Sequence, residues 1–504
     1  MGRTHPPFTR SSNPQARFRI TIYPPLSCGC HRLECPVSPS SDSRLANKQT
    51  INEPTLKRGL GVWQATALNV ANMVGIGPFV TIPLFLQAMG GPHALIAWVI
   101  AAVLVICDGL VWSELGAALP GSGGTYHFLK QIYGRTRWGR ALPFLFIWQF
   151  LITGTLEIAS GYIGTMQYVQ YLIPTLKEAL GGYGQELLSV GACVAVGWLL
   201  SRQIGTIGNL SLILCAGTIL TVLIVIGSGL SHFKPAQLAF APGSLTPSWA
   251  LFAGLAGSMQ IAIYDYMGYY NVCHLGDEVR EPAKTIPRAI LISIGVIAAT
   301  YLTMNISIIA VVPWQEAMVS EHIASDFMER LYGANIASGF TLLILWTSFA
   351  CFFAITLGYS RILYAAARQG DFFSLFGQLH PTGSYPHVSL WLVTGLTAVF
   401  CFFPLDLVVK SAVLGRIGVQ FVGQIAGLHL LRKTRPDVAL PFRMWLYPLP
   451  SLVALVGWLF VLLMKDAQDG WQPLGVAAAV NGSGVVAYFL WKRLRDPGLE
   501  AAPR

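Results

Sequence analysis

Apolar and polar positions divide this chain into long apolar stretches joined by short polar connections. Twelve stretches lie near 60–89, 93–118, 139–173, 186–202, 207–231, 249–273, 287–311, 335–366, 388–404, 406–431, 445–464 and 471–491. Most reach the roughly 20 apolar residues that a helix needs to cross a bilayer, so the pattern predicts membrane-spanning helices. Two stretches are interrupted. The first breaks at Gly75-Ile76-Gly77-Pro78, and the sixth breaks around Tyr264-Asp265-Tyr266-Met267-Gly268. Helix breakers at bilayer depth release backbone N–H and C=O groups, which survive only where they line a cavity or meet a ligand.

The interrupted spans are first and sixth, so the stretches divide as five, five and two. An odd number of spans per repeat makes the second repeat enter from the opposite side, as in an inverted-topology pair. The predicted fold is therefore an all-α polytopic membrane protein of about twelve transmembrane helices. It has a five-plus-five inverted repeat, with broken spans one and six, and two C-terminal helices. The corresponding domains are 56–232, 233–432 and 433–504, preceded by residues 1–55 as a disordered cytoplasmic tail or an over-extended start.

Composition agrees with a membrane protein: 54% of the 504 residues are apolar and 11% are charged, against about 25% charged in soluble domains. The net charge of +10 could point to nucleic acid, but its distribution excludes that. With the amino terminus inside, seventeen Lys and Arg fall on the cytoplasmic side and five on the other. That asymmetry sets orientation, with both termini cytoplasmic in an integral, bacterial-type inner (plasma) membrane protein. Residues 1–55 are rich in Pro, Ser and Arg and hold no signal-peptide apolar run. Cys28, Cys30 and Cys35 lack a zinc-site spacing, so no metal or cofactor is expected.

The connections carry further expectations. Phe128, Leu129, Ile132 and Tyr133 recur at helical spacing after Pro120-Gly121-Ser122-Gly123-Gly124, which predicts a short interfacial helix. Pro287 is expected in the first turn of span seven. The outward connection Val312–Gly333 is expected to carry a helix over the outer vestibule.

The half-helix beginning near Gly77 would present free N–H groups and a positive dipole end to an anion. A ligand carboxylate needs such a partner, which assigns carboxylate binding to Gly75, Ile76 and Gly77. The plainer alternative is a structural kink packed by neighbouring helices. Mid-span ionisable residues are functional candidates by default. Asp265 could bind a cationic substrate, carry a coupled proton or neutralise Arg416, which lies roughly 15 Å into span ten. Glu157 is the other candidate partner of Arg416, and Glu114 reads as a gate or interface partner. The chain has no His-Glu-x-x-His, Gly-x-Ser-x-Gly or Walker sequence, so no catalytic residues are assigned and an enzyme is not expected.

Five segments in order carry a family resemblance. Asn72-Met73-Val74-Gly75-Ile76-Gly77-Pro78-Phe79 resembles the first-span break of amino acid–polyamine–organocation permeases. Glu114-Leu115 through Tyr126, Tyr266 through Ile290, Ser360 through Asp371 with His380-Pro381, and Leu431 through Arg443 resemble the family's later landmarks. The resemblance covers roughly residues 57–495. It implies secondary transport of amino acids or related amines by alternating access, as a permease or exchanger. A non-transporting amino-acid sensor and a polyamine transporter are the alternatives. It further implies that the carbonyls of Tyr264, Asp265 and Met267 bind the amine, beside Gly268, and that Tyr264 gates the substrate. Where some proton-coupled relatives carry a span-five lysine, this chain has Cys215. Proton coupling therefore stays open, as does the oligomeric state.

Overall fold

The structure, a computed structural model, describes residues 59–495 apart from 135, 137, 177, 179–180, 203–206, 382–384 and 465–469, with backbone alone for 207–215. The readings of residues 1–55, of Cys28, Cys30 and Cys35, and of the Cys215 side chain lie outside the described residues.

The described chain is helical, with no strand among the described residues, and lone bridges join Leu60 to Val279 and Ser122 to Leu275. In order the helices are α1 (Val62–Met73), α2 (Gly77–Met89), α3 (Leu95–Ala118), α4 (Thr125–Tyr133), α5 (Ala141–Leu172), α6 (Gly184–Ser201), α7 (Ile207–Ser231) and α8 (Trp249–Tyr266). They continue as α9 (Pro282–Ile309), α10 (Ile323–Tyr332), α11 (Ala334–Arg368), α12 (His387–Phe400), α13 (Leu405–Arg416), α14 (Gly423–Thr434), α15 (Leu449–Leu463) and α16 (Gln472–Arg495).

Among the described residues, six helices are individually long and apolar enough to cross a membrane, and α1 with α2 forms a seventh span bent by 55°. The apolar residues Val99, Val103 and Ile106 on α3 and Leu220 and Leu223 on α7 face outward. Hydrocarbon accepts such surfaces, whereas water would not. The protein is an all-helical membrane protein.

The first break is made by sequence and repaired by neighbours. Val74 is extended, Ile76 caps α2, and Pro78 sits in its first turn, where its missing N–H costs nothing. The break frees the Met73 carbonyl, and the buried Tyr301 hydroxyl donates to it at 2.7 Å. Pro83 lies inside α2 and cannot donate to the Phe79 carbonyl four residues back. The buried Tyr168 hydroxyl donates to that oxygen at 2.7 Å. Each such oxygen left alone in hydrocarbon would cost several kcal/mol.

The second break is built differently. Helix α8 ends at Tyr266, Met267 is extended, and Gly268 has φ +115°, a conformation that favours glycine. The chain then makes only 3-10 turns at Asn271–His274 and Gly276–Glu278 rather than a second half-helix. Asn69 of α1 holds this segment. Its Nδ2 donates to the Tyr269 carbonyl at 2.6 Å, and its Oδ1 accepts from the Val272 amide at 2.8 Å.

Helix α9 starts at Pro282, so Pro287 falls inside it rather than in its first turn. The earlier proline already has the φ that starts a helix, and Pro287 forfeits one ladder bond near that end. The interfacial helix after span two is α4, and the outward connection forms α10 after a single turn at Trp314–Ala317.

Two apolar clusters organise the interior. One is built by α1, α2, α3, α8 and α9, with α2 packed on α8 and α3 on α9. A Cβ at Gly254 of α8 would come within 2.6 Å of the Ala88 carbonyl, so that close contact needs glycine. The other cluster is built mainly by α5, α6, α11 and α12.

Candidate functional site

Both breaks open onto one small cavity between the two clusters. It measures about 30 Å³ and is lined by Gly75, Ile76 and Gly77 from the first break and by Tyr264, Asp265 and Met267 from the second. Glu157 and Gly161 of α5 and Cys351 and Phe352 of α11 close the remaining sides. Among the described residues, the amides of Gly75, Ile76 and Gly77 donate to no backbone carbonyl. They form a short run of donors at the positive end of α2. On the opposite wall the Asp265 and Met267 carbonyls accept no backbone N–H among the described residues, while the Tyr264 carbonyl accepts from the Met267 amide at 3.2 Å. The cavity thus offers donors from one broken helix and acceptors from the other.

The glycines set its dimensions. A Cβ at Gly77 would lie 2.3 Å from Asp265 Oδ1 and 3.3 Å from the Tyr264 ring, and one at Gly75 would lie 2.7 Å from Cys351 Sγ. Gly268 is close by but does not line the cavity. Its Cα packs against Asn72, and a Cβ there would come within 2.8 Å of the Asn72 amide nitrogen. The Tyr264 hydroxyl is held 2.6 Å from Ser160 Oγ, which places the ring between α8 and α5.

The mid-membrane charges sort into two separate arrangements. Arg416 ends α13, immediately before a π-helical segment at Ile417–Val422, an irregularity frequent at functional sites. Its Nη2 lies 2.5 Å from Glu157 Oε2. Its Nε donates to Thr153 at 3.1 Å, and its Nη1 reaches Met267 Sδ at 3.2 Å and the Tyr270 hydroxyl at 3.3 Å. Tyr359 donates to the same Glu157 oxygen at 2.8 Å. Arg416 therefore sits one layer behind the cavity and is paired with Glu157, not Asp265. Asp265 is buried, accepts from Thr81 Oγ1 at 2.6 Å through Oδ2, and has no partner at Oδ1 among the described residues.

Glu114 is not part of this group. It takes both ends of Arg432 at 2.7 Å and the Met444 amide at 2.8 Å, tying α3 to α14 and to the connection beyond it. Sequence reasoning passed over Thr81, Ser160, Cys351 and Tyr359. Thr81 lies one helical turn after Gly77 and carried that signal. The other three sit on unbroken spans, where nothing in the local pattern marks them.

A wider cavity of about 350 Å³ adjoins the first and shares Asn72 and Ile355 with it. Its walls include Ser122, Tyr126, His274, Tyr359, Arg361 and Gln369. At its mouth Lys130 pairs with Asp371 at 2.5 Å, and Tyr126 donates to Asp371 and to Gln369. Among the described residues no cluster of His, Cys, Asp and Glu could hold a metal ion.

Comparison with known proteins gives a consistent result. The sequence profile described as amino acid permease matches residues 60–483. The cystine/glutamate transporter of Homo sapiens is 26% identical over 452 residues, covering 86% of this chain and 85% of that protein. The large neutral amino acids transporter small subunit 2 of Mus musculus is 26% identical over 451 residues, covering 86% and 81%. The branched-chain amino acid permease BcaP of Bacillus subtilis (strain 168) is 24% identical over 464 residues, covering 88% and 95%. The profile spans most of the chain, and these relatives, all named as transporters or permeases rather than enzymes, align along nearly its whole length. The chain thus belongs to the amino acid permease family of the amino acid–polyamine–organocation superfamily, and it is a membrane amino acid transporter.

Proposed function

We propose that this transporter moves an amino acid or related amine by alternating access, binding it at the paired breaks. The substrate carboxylate meets the amides of Gly75, Ile76 and Gly77, and its ammonium meets the carbonyls of Asp265 and Met267. Tyr264 covers the substrate, Gly268 lets the second break turn sharply, and the Glu157–Arg416 pair braces α5 against α13 behind the site. The observation that carries this reading is the cavity itself, with amides that meet no backbone carbonyl on one wall, that of Ile76 touching only the weak acceptor Cys351 Sγ, and carbonyls that meet no backbone N–H on the other. Neutral backbone groups can hold both ends of a zwitterion in this way.

The reading extends to architecture. Twelve spans arranged as 56–232, an inverted 233–432 and a C-terminal pair within 433–504 fit the helices at the apolar stretches. The wider cavity lies on the side that carries most Lys and Arg, here taken as cytoplasmic in a plasma membrane, so this conformation is inward-facing. At about 30 Å³ the inner cavity has room for little more than a water or two. Substrate entry from the wider cavity therefore requires α1 or α11 to shift at Asn72 and Ile355.

Transport is sodium-independent exchange, given Cys215 where some proton-coupled relatives carry lysine. Counterflow in proteoliposomes tests this. Preloaded unlabelled amino acid should drive entry of labelled amino acid without sodium. Binding without label exchange would instead identify a sensor, and uptake into empty vesicles driven only by a sodium gradient would overturn the coupling.

A further inference from the structure

We propose that Asp265 tunes the cavity for an amino acid with a cationic side chain. This rests on the transport reading above and adds the substrate class. Asp265 is 3% exposed, and its Oδ1 occupies the space beside Gly77 that any side chain there would fill. That oxygen has no hydrogen-bond partner among the described residues, while Oδ2 is engaged by Thr81.

Charge balance gives the unpartnered oxygen its meaning. Two carboxylates line the cavity, Glu157 and Asp265, and among the described lining residues there is no lysine, arginine or histidine. Arg416 cancels Glu157, and its remaining nitrogens are engaged by Thr153, Met267 and Tyr270. Nothing comparable meets Asp265. The positive end of α2 offsets at most about half a charge. The single ammonium of a neutral amino acid is already taken by the Asp265 and Met267 carbonyls and balanced by its own carboxylate, whereas a side-chain ammonium or guanidinium brings the extra positive charge that an ionised Asp265 lacks. The shared chemistry, a cationic amine, also occurs in amines that lack a carboxylate. The amides of Gly75 and Gly77 meet no backbone carbonyl, and that of Ile76 meets only Cys351 Sγ, a weak acceptor that a carboxylate can displace, so an amino acid satisfies both walls and a simple diamine satisfies one.

The test uses the full-length purified protein and three probes. L-lysine carries both groups, L-norleucine lacks the side-chain ammonium, and cadaverine lacks the carboxylate. Affinity is read by thermal shift, because a ligand that binds only the native state stabilises it, and exchange is read in proteoliposomes. Lysine should bind the wild-type protein about tenfold or more tightly than norleucine, the scale expected for one partner of a buried charge pair. Asp265→Asn should erase or invert that ratio. If Asp265→Asn does not fold, the lysine-to-norleucine ratio of the wild-type protein still decides the proposal. Norleucine matching lysine in the wild type, or an unchanged ratio in Asp265→Asn, overturns the proposal while leaving transport intact. Cadaverine binding as well as lysine overturns the amino acid assignment. Failure of lysine to bind or exchange overturns this proposal, and only the failure of a full set of amino acids to exchange in the same vesicles overturns the transport reading with it.

Discussion

Removing Glu157 should destabilise the protein by leaving Arg416 buried without its counter-charge. The two side chains are 10% and 1% exposed and meet at 2.5 Å, so solvent screens the pair little. Breaking such a pair by deleting one partner costs about 3–5 kcal/mol. Glu157→Gln keeps an acceptor for Arg416 and for Tyr359 and so falls near the lower end. Glu157→Leu removes the acceptor as well and falls near the upper end. At about 2.1 cal/mol/K of unfolding entropy per residue, a chain this long loses roughly 1 °C of Tm per kcal/mol, or about 3–5 °C here. Membrane helices that stay helical on unfolding reduce that entropy, so the shift is a floor. Melting curves of detergent-purified single variants and of Glu157→Leu/Arg416→Met supply the measurement. The double variant should recover much of the loss, because a buried ion pair exchanged for apolar residues of similar volume is often neutral. An unchanged Tm in Glu157→Gln, or strictly additive losses in the double variant, would refute the reasoning. Asp265→Asn, which breaks no ion pair, should shift Tm by less than Glu157→Leu does.

Gly77→Val should abolish uptake while expression and insertion persist, since the first Cβ atom alone would lie 2.3 Å from Asp265 Oδ1; normal substrate affinity in that variant would remove the first break from the site. His322 of the outward connection donates from Nδ1 to Asp326 Oδ1 at 2.7 Å. Burial pulls its pKa down, but the hydrogen bond and charge of Asp326, aided by Glu321, carry it above the ordinary histidine value. Stability from this contact should be fully present below about pH 6.5 and lost as pH rises through the higher folded value. The pH slope of Tm across that window should therefore flatten in His322→Gln, and an identical slope would exclude the contact as its source.

The apolar spacing determined that the chain is a helical membrane protein, because hydrocarbon permits a spanning segment little else. It also located both interruptions, since Gly75-Ile76-Gly77-Pro78 and Met267-Gly268 carry their conformational preferences in the residues themselves. Packing decided the rest. No local pattern shows that Tyr168 and Tyr301 supply the hydrogen bonds freed by Pro83 and by the first break, because those partners come from distant spans. Sequence depth alone brought Arg416 level with both Asp265 and Glu157, as depth measures position along a helix and not the direction a side chain faces. Only the rotation of α13 against α5, ending in the π-helical turn after Arg416, assigned the cation to Glu157 and left Asp265 facing Gly77. Glu114 read from the sequence as a gate or interface partner, and only the packing named that partner as Arg432 of α14. A charge's depth is written in the chain, but its partner is set by which helix faces lie against each other.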